Sequence, residues 1–232
     1  MADSADNVLL KPFADPEAVA RYVDGPPRFM PGFADLHRMS AILLAERMPP
    51  DARVLVVGAG GGLELRAFAE AHAGWTFTGV DPSAEMLKLA ARTLDSLASR
   101  ATLVEGYVED APIGPFDAAT CLLTLHFLDR EERRRTAWEI HRRLRPGAPF
   151  VAAHTSFPQD ATQRSRWLAR YAAFAVSQGV DPALAEGVRA SVDASLSILS
   201  LEDDEAVLRE AGFQDVTPFY AAFTWRGWVA YA

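Results

Sequence analysis

The chain lacks most of what would build a disulfide-stapled, cysteine-metal or nucleic-acid-binding protein. It has one cysteine, Cys121, in 232 residues. An internal disulfide and any cysteine-based zinc or iron–sulfur site are thereby excluded. Only Lys11 and Lys88 are lysines, and 23 basic residues face 31 acidic ones, for a net charge of −8. Recognition of a phosphate backbone needs clustered cations, so nucleic acid is not expected as a partner. No apolar run reaches the roughly 18 residues of a membrane span. Residues 1–7 are polar and acidic, unlike a signal or transit peptide. What is present is half hydrophobic and 10% aromatic, the composition of a soluble globular protein, expected to be cytoplasmic. Its length allows one sizeable domain that buries roughly 70% of its unfolded surface.

From residue 53 strand-like and helix-like stretches alternate. Arg53-Val54-Leu55-Val56-Val57 is a β-branched run that ends in a glycine cluster, as suits a strand buried on both faces. Helical spacing over 63–72, a strand at 75–80 and a helix opened by Asp81-Pro82-Ser83 follow. Further strands are expected at 101–106, 116–124 and 148–154, with a helix at 129–144. This alternation predicts βαβ units on a parallel sheet. Residues 158–198 read as all-helical. A helix at 203–211 then precedes strands at 214–220 and 223–231, linked through Ala221-Ala222 as an antiparallel hairpin. Helical stretches at about 15–23 and 32–47 flank Gly25-Pro26-Pro27. One domain is expected: a helical cap (1–50), a nucleoside-binding half (51–155), a helical insert or lid (156–200), and a closing helix with a hairpin (201–232).

Gly58-Ala59-Gly60-Gly61-Gly62 follows the first strand and opens a helix. Such a turn lets backbone approach a ligand closely and aims helix N–H groups at it. Asp81, 23 residues after Gly58, ends the next strand, where a carboxylate can accept ribose hydroxyls. The third glycine of a dinucleotide fingerprint is replaced by Leu63, and no phosphate-binding G-x-x-x-x-G-K-[ST] occurs. The pattern suits adenosine without a pyrophosphate.

These segments resemble the class I S-adenosylmethionine-dependent methyltransferases. The resemblance rests on the first strand with its glycine cluster and on Gly79-Val80-Asp81-Pro82-Ser83-Ala84-Glu85-Met86-Leu87. It also rests on Gly106-Tyr107-Val108-Glu109-Asp110-Ala111-Pro112 with Phe116-Asp117, on Leu144-Arg145-Pro146-Gly147-Ala148, and on Glu210-Ala211-Gly212-Phe213. It implies a Rossmann-like α/β fold with a seven-stranded, mostly parallel sheet in the order 3-2-1-4-5-7-6. It implies S-adenosylmethionine as cofactor, contacted by Gly58, Ala59 and Gly60 at the methionine part, by Asp81 with Pro82 at the ribose, and by Val108 at the adenine. The acid usual two residues before the first glycine is Val56 here, and the acid that meets the adenine is Tyr107, which would offer ring contact instead.

A second resemblance, spanning nearly the whole chain, is to the carboxy-S-adenosylmethionine synthases. It rests on Pro31-Gly32-Phe33, on Leu123-Thr124-Leu125-His126-Phe127-Leu128, and on Arg189 ahead of Ser200-Leu201-Glu202. It implies that Phe33 and Leu122 face the cofactor and that Arg189 holds an extra carboxylate.

Methyl transfer from a sulfonium asks mainly for proximity and orientation, and for a base only if the acceptor must lose a proton early. His126 after the fourth strand and His154 at the end of the fifth are the catalytic candidates. An ordinary half-buried histidine is the competing reading for each. Arg189, His37 and Tyr22 are the candidates for holding a small-molecule substrate, with Arg189 a receptor for an anion. Arg133, Arg134, Arg135, Arg142, Arg143 and Arg145 read as one solvated helix face, Cys121 as a buried small hydrophobe, and Trp225 and Trp228 as packing on opposite strand faces. The leading expectation is a small-molecule methyltransferase, possible as a homodimer. A carboxy-S-adenosylmethionine synthase-like enzyme and a catalytically silent cofactor-binding protein are the alternatives.

Overall fold

The computed structural model of the chain describes residues 13–20 and 22–232; the polar stretch 1–7, Lys11 and Arg21 lie outside them. Seven strands form one sheet: β1 (Arg53–Val57), β2 (Thr76–Asp81), β3 (Ala101–Glu105), β4 (Ala118–Leu122), β5 (Pro149–Thr155), β6 (Gln214–Ala222) and β7 (Trp225–Tyr231). Their order is β3-β2-β1-β4-β5-β7-β6. The first five pair in parallel, and β7 runs antiparallel to both β5 and β6. The expected strand order is the observed one. Every residue of β4 and β5 is buried, because helices cover both faces of a parallel sheet.

Side-chain alternation divides the core. Val54, Val56, Ala118, Leu122, Val151 and Ala153 face one side with α3 (Phe33–Ala45) and α4 (Leu63–Ala71). Leu55, Val57, Ala119, Cys121, Phe150 and Ala152 face the other with α6 (Arg130–His141) and α9 (Leu201–Glu210). Cys121 is fully buried. Trp225 and Trp228 fall on opposite sides.

A cover stands over the carboxyl ends of the strands. It comprises α1 (Pro16–Ala20), a 3-10 turn Tyr22–Asp24, α2 (Pro26–Phe29), α7 (Ala161–Ser177) and α8 (Pro182–Ser195). The hairpin clamps its front part: Trp225 Nε1 donates to Phe29 O at 3.0 Å and the Tyr220 hydroxyl donates to Pro31 O. On the other flank α5 (Ala84–Leu94) holds it, as Ser83 Oγ donates to Phe13 O while capping Met86 N.

Local differences from the sequence reading have local causes. Gly25-Pro26-Pro27 does not separate the front helices; Pro26 opens α2, since a proline at the first helical position loses no needed N–H. The helical insert is two helices, parted where Asp181 caps α8 through Ala183 N and Leu184 N. The hairpin turns at Phe223-Thr224, not Ala221-Ala222, with Phe223 at φ 50°. The arginine face divides. Arg133 and Arg143 are buried and paired through their terminal nitrogens, Arg133 with Asp204 and Arg143 with Glu139 and the carbonyls of Glu109 and Ala111, while the Nε of each has no partner among the described residues. A guanidinium enters the core only with such partners.

Candidate nucleoside and acceptor site

The glycine turn is forced by sterics. Gly58 sits at φ 74°, and a Cβ there would fall 2.0 Å from Thr124 Oγ1. Gly62 at φ 79° would put a Cβ 2.8 Å from Ala90 Cα, so only glycine lets α4 close against α5. The turn is tied to β2: Gly58 N and Ala59 N donate to Val80 O, and Gly60 N donates to Asp81 Oδ2 at 2.9 Å. Asp81 Oδ1 accepts from Ser83 N at 2.9 Å. Burial raises the Asp81 pKa, against the pull of these two N–H donors. A strand-end carboxylate therefore stands beside the turn, with Pro82 next to it.

Two cavities meet above the strand ends. The smaller, about 30 Å³, lies on the glycine turn among Tyr22, Phe33, His37, Gly58 to Gly61, Leu63, Glu64, Leu122 and Leu123. The larger, about 200 Å³, is walled by Phe13, Tyr22, Pro26, Phe29, Met30, Leu123, His126, Phe127, Tyr171 and Trp225. Tyr22 and Leu123 line both. Leu123 takes φ 58°, an outlier for a branched side chain, held by its N–H to Ala153 O at 2.6 Å. The Tyr22 ring lies on the turn; a Cβ on Gly61 would approach its Cδ1 to 3.0 Å. Burial, with Asp81 and Glu64 nearby, raises the Tyr22 pKa to about 12.

His126 walls the larger cavity, beside Phe127 and with its ring 5.8 Å from Trp225. Its Nδ1 faces the Thr155 N–H at 3.4 Å, which leaves the ring proton on Nε2. Burial, with His154 and Arg133 nearby, holds it neutral, well below the usual histidine range. His37 lines the smaller cavity, edge-on to Phe33 at 4.6 Å, and burial lowers its pKa to about 4.

The remaining candidates fall elsewhere. His154 is buried under Trp228, with Nε2 3.0 Å from Asp204 Oδ1, in a cluster with Arg133, and lines neither cavity. Arg189 lies on α8, doubly bonded to Glu186, and lines neither cavity either. A lone arginine in a charge-poor stretch suggested a receptor, but Glu186 three residues earlier on the same helix takes its charge. Tyr107 is half exposed at the end of β3, with Val108 buried behind it.

Sequence reasoning missed Glu64, Leu123, Tyr171 and the cavity role of Trp225. Glu64 carried a signal: it stands four residues before Phe68, on the buried stripe of α4. Tyr171 and Trp225 carried none, because nothing local shows that α7 and β7 converge over the turn.

Residues 54–147 match the family model described as a methyltransferase domain. The fold is that of the class I methyltransferases. Among solved structures, the chain superposes on the PigF protein with SAH at TM-score 0.70 and 19% identity, over 96% of this chain and 61% of that one. Human N-acetylserotonin methyltransferase in complex with SAM gives 0.64 and 12%, over 99% and 60%. The chain thus spans about 60% of the length of these two proteins. A carboxy-S-adenosyl-L-methionine synthase of Campylobacter fetus is 21% identical over 206 residues, 89% of this chain and 88% of the relative.

Proposed function

We propose that the protein transfers a methyl group from S-adenosylmethionine to an uncharged, largely aromatic small molecule. The observation that carries this is the junction of a small cavity on the glycine turn, which Glu64 and His37 line, with an aromatic one under the cover. The two share Tyr22 and Leu123, so a reacting pair would meet there. The methyltransferase-domain match over the polar half and the SAM- and SAH-bound neighbours support the cofactor.

The residues fit the ligand. Asp81 can take the ribose hydroxyls, the glycine turn gives backbone approach once Tyr22 moves off it, and Val108 backs the adenine side. When bound, the sulfonium supplies an activated methyl group for in-line displacement. The chain contributes orientation and exclusion of water by Phe29, Phe127, Tyr171 and Trp225. With its proton on Nε2 and its basicity suppressed, His126 positions an acceptor oxygen or nitrogen as a hydrogen-bond donor and is a poor proton acceptor. The smaller cavity has room for about one water molecule, so admitting a nucleoside requires Tyr22 and its turn to lift off the glycines.

Arg189 does not favour the synthase reading. No arginine or lysine lines either cavity among the described residues, so neither cavity offers a counter-charge for an added carboxylate. Calorimetry with S-adenosylhomocysteine tests the proposal: micromolar binding is expected, and no binding at millimolar ligand would overturn it.

A further inference from the structure

Glu64 has no role in the reading above, yet it is the most unusual charge-bearing group in the site. It stands in the first turn of α4, 5% exposed, and lines the glycine-turn cavity. Its Oε1 has no hydrogen-bond partner, and neither has the Thr120 hydroxyl beside it. An orphaned carboxyl oxygen in a protein interior is costly and asks for an explanation.

Its neighbours among the described residues supply no counter-charge. Tyr22 comes from the 3-10 turn, His37 from α3, Asp81 from the end of β2 and Cys121 from β4. Burial keeps His37 neutral, with its pKa lowered to about 4, and pushes the Cys121 thiol up. No lysine or arginine lines the cavity, and Glu64 joins no salt bridge among the described residues. The position also has a meaning in the sheet. Thr120 is the in-register partner of Val56 on β1, and parallel partners point to the same face. Val56 is the strand-end position where an acid was expected and a valine stands. The carboxylate of α4 is delivered to the neighbouring strand on that same face.

We propose that Glu64 is the receptor for the cationic α-amino group at the methionine end of the ligand, taking the place of the acid missing at Val56. This rests on the S-adenosylmethionine reading and names one contact within it. The open side of the carboxyl is the cavity, and an ammonium there would satisfy it with a charge-assisted hydrogen bond. The ligand-free state stores the group as an acid, because burial raises its pKa to about 8. At neutral pH it is then mostly protonated. Arrival of an ammonium ionises it, and the proton leaves to solvent.

The test compares S-adenosylhomocysteine with 5′-methylthioadenosine, the same nucleoside thioether without the amino-acid end. In wild-type protein both bind, and S-adenosylhomocysteine binding at about pH 7 releases close to one proton, read from the dependence of the calorimetric enthalpy on buffer. Glu64→Gln, which keeps the shape, weakens S-adenosylhomocysteine at least tenfold, changes methylthioadenosine less than twofold, and abolishes the proton release. Equal losses for both ligands, or none for either, overturn the proposal while the nucleoside reading survives. Failure of wild-type protein to bind either ligand overturns both. The ligand-free stability gives an independent readout. A folded-state pKa of about 8 against 4.5 unfolded means a contribution fully present below pH 4.5 and lost as pH rises through 8. Glu64→Gln therefore raises the melting temperature above wild type at about pH 8.5 and leaves it unchanged near pH 4. An equal shift at both pH values overturns the protonation half of the proposal.

Discussion

The floor and the roof of the site are built by different means. The floor is contiguous chain on rigid strand ends: the glycine turn after β1, Asp81 at the end of β2 and Glu64 in the first turn of α4. Its strand-end carboxylate is fixed by backbone, with Asp81 held between Gly60 N and Ser83 N. The roof is assembled from distant segments: Phe13, Tyr22, Phe29 and Met30 from the front, Phe127 after β4, Tyr171 on α7 and Trp225 on β7. It carries aromatic surface and one neutral histidine. A floor of this kind suits a ligand with fixed polar landmarks. A roof of this kind selects by shape and hydrophobic contact, and it can change without disturbing the floor.

Three substitutions test this division. Asp81→Ala removes the floor's strand-end carboxylate. Two charge-assisted hydrogen bonds at about 1.5 kcal/mol each predict at least a hundredfold loss of S-adenosylhomocysteine affinity by calorimetry; near-normal affinity would place the ribose elsewhere. Trp225→Phe keeps an aromatic ring but removes the Nε1–H bond to Phe29 O. A loss of about 1 kcal/mol in unfolding free energy is expected, with S-adenosylhomocysteine affinity changed less than threefold and acceptor turnover reduced about tenfold. If the affinity falls as far as in Asp81→Ala, floor and roof are one unit. Arg189→Ala lies outside both. Its partly exposed pair with Glu186 is worth at most about 0.5 kcal/mol, and the Michaelis constants for cofactor and acceptor should not move. A several-fold rise for an anionic acceptor would return Arg189 to the site.

The floor was also the legible part. A β-branched strand, a glycine run and a strand-final aspartate are adjacent in sequence, and sterics permit few ways to join them. Glu64 was less legible, because a charged residue at a helix start reads as solvated, although the four-residue spacing to Phe68 puts its carboxyl on the buried face. The roof was only partly legible. Tyr22, Phe33 and His37 lie close to the turn. Tyr171 on α7 and Trp225 on β7 reach it only because the hairpin clamps the front segment and α7 packs beside it.

The arginines show the same limit. A helix with basic residues at many positions reads as solvated, and Arg134 with Glu131 is so. Arg133 is buried because Asp204, from α9, and the carbonyls of Leu128 and Ser197 meet it. Burial of a guanidinium depends on partners that no helical pattern displays.

By itself, then, the sequence determined the alternation of strands and helices and the glycine turn after the first strand, because periodicity and glycine sterics act within a few residues of chain; the strand order followed from the resemblance to a known family. Only the tertiary structure decided which side chains face the second cavity and which charge is left without a partner. Those outcomes depend on where β7, α7 and the front segment converge. Convergence is a property of packing among distant elements, and local propensity does not encode it.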